Sequence, residues 1–435
     1  MSQNPQLARS LGRPISAALD AAAPRRAGFF EKALLDGLSN MTLGCLHLER
    51  PDGSHHLIGT PGAEISCRIR VNRDQFFQRC VLFGDIGFGE GYMDGDWDTD
   101  DITQVISWFI LNIENSPSMS GSKVKGSGLN LLRFANRLQH LLRPNSVEIS
   151  RRNIREHYDL GNEFYRLWLD STMTYSSAYF TEPSQSLEAA QAAKYDALCR
   201  RLQLKATDHV LEIGSGWGGF ACHAATNYGC RVTTVTISEE QFKFSKERFI
   251  REGVADRVEI RLQDYRLVEG RFDKIASIEM LEAVGDAYVD TYFAKCASLL
   301  KPDGLLAFQV IICPDSRYEA LRKGVDWIQK YIFPGSLLLS VARINQAVNR
   351  TSDLTLHGFE DMGLHYAKTL NLWHERFNQV SDQVRGLGFD HRFIRKWNYY
   401  LCYCEAAFAM HNISVIQAVY TRPNNPQLRA SSPLQ

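Results

Sequence analysis

Residues 210–221 read VLEIGSGWGGFA, a short apolar run that ends in a cluster of glycines. Val210, Leu211 and Ile213 suit a buried strand, and Gly214, Gly216 and Gly219 fit G-x-G-x-x-G at a strand-to-helix turn. Glycine lets the backbone come close to a ligand, and the helix that follows presents N–H groups that have no partner within it. Both dinucleotide sites and S-adenosylmethionine sites use this spacing. In a NAD fold an acid ends the second strand and holds the ribose. Here the second strand ends at Thr236, with Ser238 and Gln241 beyond it, which counts against NAD. The third ends in Gln263-Asp264-Tyr265. An aromatic ring there can stack on an adenine, and an Asp or Gln can reach its amino group; ordinary turn residues are the competing reading.

Strand-like runs recur downstream of this turn: RVTTVT at 231–236, RVEIRLQD at 257–264, FDKIASIE at 272–279 and LLAFQVII at 305–312. Helical stretches such as SEEQFKFSKERFIREG lie between them. Strands that alternate with helices imply an α/β fold with a doubly wound, Rossmann-like parallel sheet. Residues 315–420 are rich in aromatics and mostly helical in pattern, so they are expected to cover one end of the sheet. Upstream, TLGCLHL and EISCRIRV alternate as strands do, which predicts a smaller α+β module over 31–114. Its run GFGEGYMDGDWD, 87–98, resembles a calcium loop in composition but lacks the ligand spacing and the closing Glu, so no metal is expected.

The 435 residues contain 49 Lys plus Arg and 49 Asp plus Glu, a balance that gives no reason to expect a nucleic-acid partner. No apolar run reaches the roughly 18 residues of a spanning helix. Ten cysteines without a C-x-x-C pair read as buried reduced thiols of a cytoplasmic protein. Residues 1–30 and 423–435 are expected to be flexible ends. Residues 115–147 carry no acid but include Lys123, Lys125, Arg133, Arg137 and Arg143. Within them Leu131, Ala135, Leu138 and Leu142 share one helical face. Such a basic helix either lies on an anionic membrane surface or packs on its own domain. The remaining domain is expected to span 148–422. The oligomeric state stays open, a homodimer included.

Several longer motifs carry a family resemblance: HYDLGNEFYRLWLD at 157–170, MTYSSAYF at 173–180, QDYR at 263–266 and WIQKYIFPG at 327–335. With these the chain resembles the cyclopropane-fatty-acyl-phospholipid synthases and their mycolic-acid methyltransferase relatives. The resemblance implies a class I methyltransferase that takes S-adenosylmethionine as cofactor and acts on unsaturated phospholipid from the membrane surface. It implies cofactor contacts from Tyr175, Ser176, Gly214, Gly216, Thr236, Gln241, Tyr265 and Arg266, beside which Ser215, Ser238, Gln263 and Asp264 at the glycine turn and strand ends are further candidates. The methyl would go to an alkene carbon, and the resulting carbocation would lose a proton and close to a cyclopropane.

The resemblance also implies a bicarbonate ion as base, held by a Cys, a Glu, a His, a Tyr and a backbone group. Only the Glu remains, as Glu282 in SIEMLEAVG. Ser177, Gln309 and His374 stand for the Cys, His and Tyr, and Ile311 for the backbone group. All three replacements can hydrogen-bond an anion, yet together they count against bicarbonate. Glu282 and His374 then become the expected base, or hold a water that acts as one. Alternatively the cation resolves differently, to a methylated alkene or to a branched or furan-type precursor. Cys404 matches a cysteine suspected of function in the family, with a buried structural thiol as the other reading. Rival functions are methyl transfer to a small soluble amine, NAD-dependent oxidation and non-catalytic lipid binding.

Overall fold

The computed structural model describes residues 27–113 and 160–429. The basic segment 115–147, most of the first 30 residues and the start of the HYDLGN motif lie outside the described residues.

The larger sheet has seven strands. In chain order they are β5 (His209–Ile213), β6 (Arg231–Thr236), β7 (Val258–Leu262), β8 (Phe272–Ile278), β9 (Leu300–Ile312), β10 (Thr355–Asp361) and β11 (Ser414–Thr421). Their spatial order is β10-β11-β9-β8-β5-β6-β7. The chain runs outward from β5 through β6 to β7, then returns to place β8 on the other side of β5, and β5 through β9 are all parallel. The direction reverses between β5 and β8, so the loops after these two strands open a crevice at the carboxyl edge. The glycine turn follows β5 and the SIEMLEAVG segment follows β8.

β5 to β9 fall on the runs read from the sequence, whereas β10 and β11 are strands within the stretch expected to be a mostly helical cover. Both pair antiparallel, β11 against β9 and β10 against β11. β11 is buried along its whole length, whereas β10 is the exposed edge. Neither a uniformly buried strand nor a largely exposed edge strand shows the alternating burial that identifies a strand by sequence.

The N-terminal module has a four-stranded sheet of β1 (Cys45–Glu49), β2 (His55–Gly59), β3 (Ser66–Val71) and β4 (Trp97–Asp98) in the order β2-β1-β3-β4. One apolar core runs from Leu46, Ile69 and Trp108 of this module through Trp397 and Tyr399 to Trp168 and Trp373. The module therefore shares its core with the helices Gly363–Gln379 and His391–Ala409. The run 87–98 is the second half of the helix Gln75–Met93 together with β4. Its glycines allow close packing: a Cβ at Gly89 would lie 2.5 Å from the Trp327 indole. Asp94 takes Arg79 and Arg392 at 2.7 Å each, and Asp98 takes Arg395 at 2.7 Å. All ten cysteines are free, and nine are buried.

Candidate active site

A cavity of about 1440 Å³ opens at the carboxyl edge of the large sheet. Tyr175, Ser176, Gly214, Ser215, Gly216, Thr236, Gln241, Gln263, Asp264, Tyr265 and Arg266 all line it. Gly214 and Gly216 have φ of 93° and 48°, in the left-handed region that disfavours a side chain. A Cβ at Gly216 would meet nothing within 4 Å, so it would take up cavity space. Gly219 serves packing instead: a Cβ there would lie 2.4 Å from the Tyr195 hydroxyl.

The other cofactor-edge residues are held by one another. Thr236 donates to the Gln241 amide oxygen at 2.9 Å, which fixes the amide's orientation. Asp264 is buried, and Arg266 donates to both of its oxygens at 2.8 Å, a bidentate pair. No acid stands at the end of β6, the place where a NAD site would need one. Ser238 is not in the cavity wall; its hydroxyl caps the helix Glu239–Arg251 by accepting the Gln241 N–H at 3.3 Å. The open cradle at Gly216 and the polar rim from Thr236 to Arg266 fit an adenosyl group with a charged amino-acid tail.

After β8, the strand next to β5, two acidic side chains line the cavity. Glu279 accepts three hydrogen bonds: the Ser177 N–H at 2.9 Å, the Gln309 amide NH2 at 2.7 Å and the Tyr366 hydroxyl at 2.8 Å. Burial pushes its carboxyl up, opposed by these donors and by the charge of Lys194. Glu282 accepts the Ile311 N–H at 2.6 Å through Oε1, while Oε2 has no hydrogen-bond partner among the described residues. Burial, reinforced by the charge of Glu279, raises the Glu282 carboxyl to about 8. Burial likewise lowers the Lys194 ammonium to about 7; it donates to the Ser176 hydroxyl at 2.7 Å.

The residues expected around Glu282 thus divide. Ser177 and Gln309 lie one layer behind the cavity wall, and both donate to Glu279. Ser177 does so through its backbone; its hydroxyl turns to the Ala178 carbonyl at 3.0 Å. His374 is corrected: it is not in the cavity wall, and its ring faces Cys402, with Nε2 3.5 Å from Sγ. The phenol in the place expected of His374 belongs to Tyr366, about two turns earlier on the same helix. Cys404 lines the cavity, but burial pushes its thiol up and keeps it protonated. Glu279 and Tyr366 escaped the sequence reading. The available clue was the pair of acids three residues apart in SIEMLEAVG, directly after a strand.

The Mycolic acid cyclopropane synthetase family matches residues 145–418. The tuberculostearic acid methyltransferase UfaA1 of Mycobacterium tuberculosis is 38% identical over 364 residues, covering 81% of this chain and 82% of that protein. The cyclopropane-fatty-acyl-phospholipid synthase of Escherichia coli is 38% identical over 366 residues, covering 83% and 90%. Among solved structures, mycolic acid cyclopropane synthase CmaA1 complexed with SAH and CTAB superposes with a TM-score of 0.58 at 27% identity. That match covers 62% of this chain and 98% of the other.

Proposed function

This chain belongs to the mycolic acid cyclopropane synthetase family and is an S-adenosylmethionine-dependent methyltransferase, and from that premise we propose that it methylates the double bond of an unsaturated acyl chain carried on a membrane phospholipid. The observation that carries this reading is the continuity of the cavity. One space joins the glycine turn to an apolar wall of Ile328, Phe333, Leu337, Leu338, Leu370 and Phe408. An acyl chain offers no hydrogen-bonding group, so only apolar area and shape can select it. At about 1440 Å³ the cavity exceeds the roughly 300–1,000 Å³ that usually serves one ligand.

Bound S-adenosylmethionine supplies an electrophilic methyl on a sulfonium. The chain's residues do the rest. Gly214, Gly216, Gln241, Asp264 and Tyr265 would hold the cofactor, and the apolar wall would align the alkene beside it and keep water out. Methyl transfer to an alkene leaves a positive charge on carbon. Tyr175, Phe333 and Tyr400 line the cavity, and an aromatic ring attracts a cation that lies over its face. Tyr175 and Tyr400 are locked together by a 2.8 Å bond between their hydroxyls.

Methyl-trideuterated S-adenosylmethionine, incubated with the protein and unsaturated phospholipid vesicles, tests the reading. Label in the fatty acids is expected. Two deuteriums remain if the transferred carbon gives up the proton, as ring closure requires, and three remain if the chain gives it up. Cofactor turnover without label in the lipid overturns the reading in favour of a soluble acceptor. Co-sedimentation with the vesicles, at low and high salt, tests action at the membrane surface.

A further inference from the structure

We propose that the carboxylate of Glu279 is the catalytic base, an anion built into the chain, so that the reaction needs no anion from solution. The proposal rests on the alkene-methylation reading above. Its first support is placement: Glu279 lines the cavity at the carboxyl end of β8, beside the glycine turn that follows the neighbouring strand β5. Its second is the set of donors. A backbone N–H, an amide and a phenol converge on this one side chain, from three separate parts of the chain, at 2.7–2.9 Å. Such a cage holds the oxygens still, as a group that must meet one particular hydrogen requires.

The third support is the orientation of the Gln309 amide. Arg201 donates to the Gln417 carbonyl oxygen at 3.1 Å, and the Gln417 NH2 donates to the Gln309 carbonyl oxygen at 3.1 Å. The Gln309 NH2 is thereby turned toward Glu279, a donor suited to a carboxylate. The fourth is backbone conformation. Glu279 has φ 47°, a left-handed conformation that a non-glycine residue keeps only where the surroundings impose it. Two of the residues expected to hold a solution anion, Ser177 and Gln309, are already engaged by Glu279.

The step balances without a further reactant. The methyl–sulfur bond breaks, and its pair stays on sulfur. The alkene π pair forms the new carbon–carbon bond. A C–H bond beside the cation then breaks, its pair closes the ring or restores an alkene, and the proton passes to a Glu279 oxygen.

Two variants test this, Glu279→Gln and Glu279→Gly, the second suited to the left-handed backbone. Both should bind S-adenosylhomocysteine within about threefold of wild type by calorimetry. Turnover of Glu279→Gln should fall by roughly 10²–10⁴-fold, the usual cost of losing a general base. In Glu279→Gly the donors from Ser177, Gln309 and Tyr366 remain around an empty space. That variant should bind ¹³C-bicarbonate or formate in the NMR tube, with activity partly restored, whereas wild type should do neither. Turnover of Glu279→Gln within tenfold of wild type overturns the proposal. So does a wild-type rate that collapses when carbon dioxide is stripped and returns with bicarbonate. Labelled lipid from wild type and Glu279→Gln alike sinks the base and leaves the alkene reading standing; no labelled lipid from wild type sinks the reading itself.

Discussion

Glu282 lies three residues beyond Glu279, and the charge of Glu279 adds to burial in raising the Glu282 carboxyl to about 8. A carboxyl raised on folding keeps its proton in the folded chain at pH values where the unfolded chain has released it. Its contribution therefore falls as pH climbs from its ordinary 4.5 to about 8. Glu282→Gln removes this liability while keeping a carbonyl oxygen for the Ile311 N–H. The variant should gain stability over wild type between pH 5 and pH 8.5, by on the order of 2–4 kcal/mol. Thermal melts across that range check it, and a gap that does not change with pH refutes it.

Gln309 is a positioning residue, and its removal should register as a shift in pH dependence. Gln309→Leu takes away the 2.7 Å donor to Glu279, so the carboxyl should rise further. The acid limb of the pH–rate profile should then move up by roughly one unit, the worth of one hydrogen bond to a charged group. Leaving the Gln417 NH2 without its acceptor should also cost about 1–3 kcal/mol of stability. A variant that loses stability with an unmoved limb would show that Gln309 only packs.

The parallel half of the sheet was legible because its strands recur as short runs rich in apolar or β-branched residues, most of them separated by helices. Gly214, Thr236 and Asp264 were readable as site residues because they end successive strands, and strand ends converge at one edge. The reaction end resisted for a different reason. Glu279, Ser177, Gln309 and Tyr366 come from four separate stretches, and only packing brings them together. His374 and Tyr366 sit about two turns apart on one helix, and only packing decides that Tyr366 is the one that reaches Glu279. Ser177 looked like a side-chain ligand, whereas the backbone carries its hydrogen bond. β10 and β11 were hidden in a stretch whose pattern is mostly helical.

The cradle at Gly216 predicts a clean separation of binding from folding. The left-handed φ of 48° makes any side chain costly, by about 1–2 kcal/mol. Gly216→Val should therefore melt somewhat lower but stay folded, because its added atoms enter open space rather than the core. Wild type should gain about 2.7 kcal/mol from S-adenosylhomocysteine at a hundred times its Kd. The variant should gain none at that concentration. An equal thermal shift in both proteins would place the cofactor elsewhere.

Gly89 ties the N-terminal module to the reaction site. A Cβ there would lie 2.5 Å from the Trp327 indole and 2.9 Å from the Tyr399 ring. Both rings are fully buried, so neither can swing aside without opening the shared core. Trp327 begins the short helix Trp327–Tyr331, from which Ile328 enters the cavity wall and Lys330 reaches Glu90 at 2.7 Å. Overpacking at Gly89 must therefore push that helix toward the cavity or push the module away. Gly89→Val should lose about 1–3 kcal/mol of stability. It should also lower turnover on long acyl chains more than affinity for S-adenosylhomocysteine, because the glycine turn is built from a different part of the chain. If turnover and cofactor affinity fall in equal proportion, the module's contact acts on the whole fold rather than on the acyl end of the cavity.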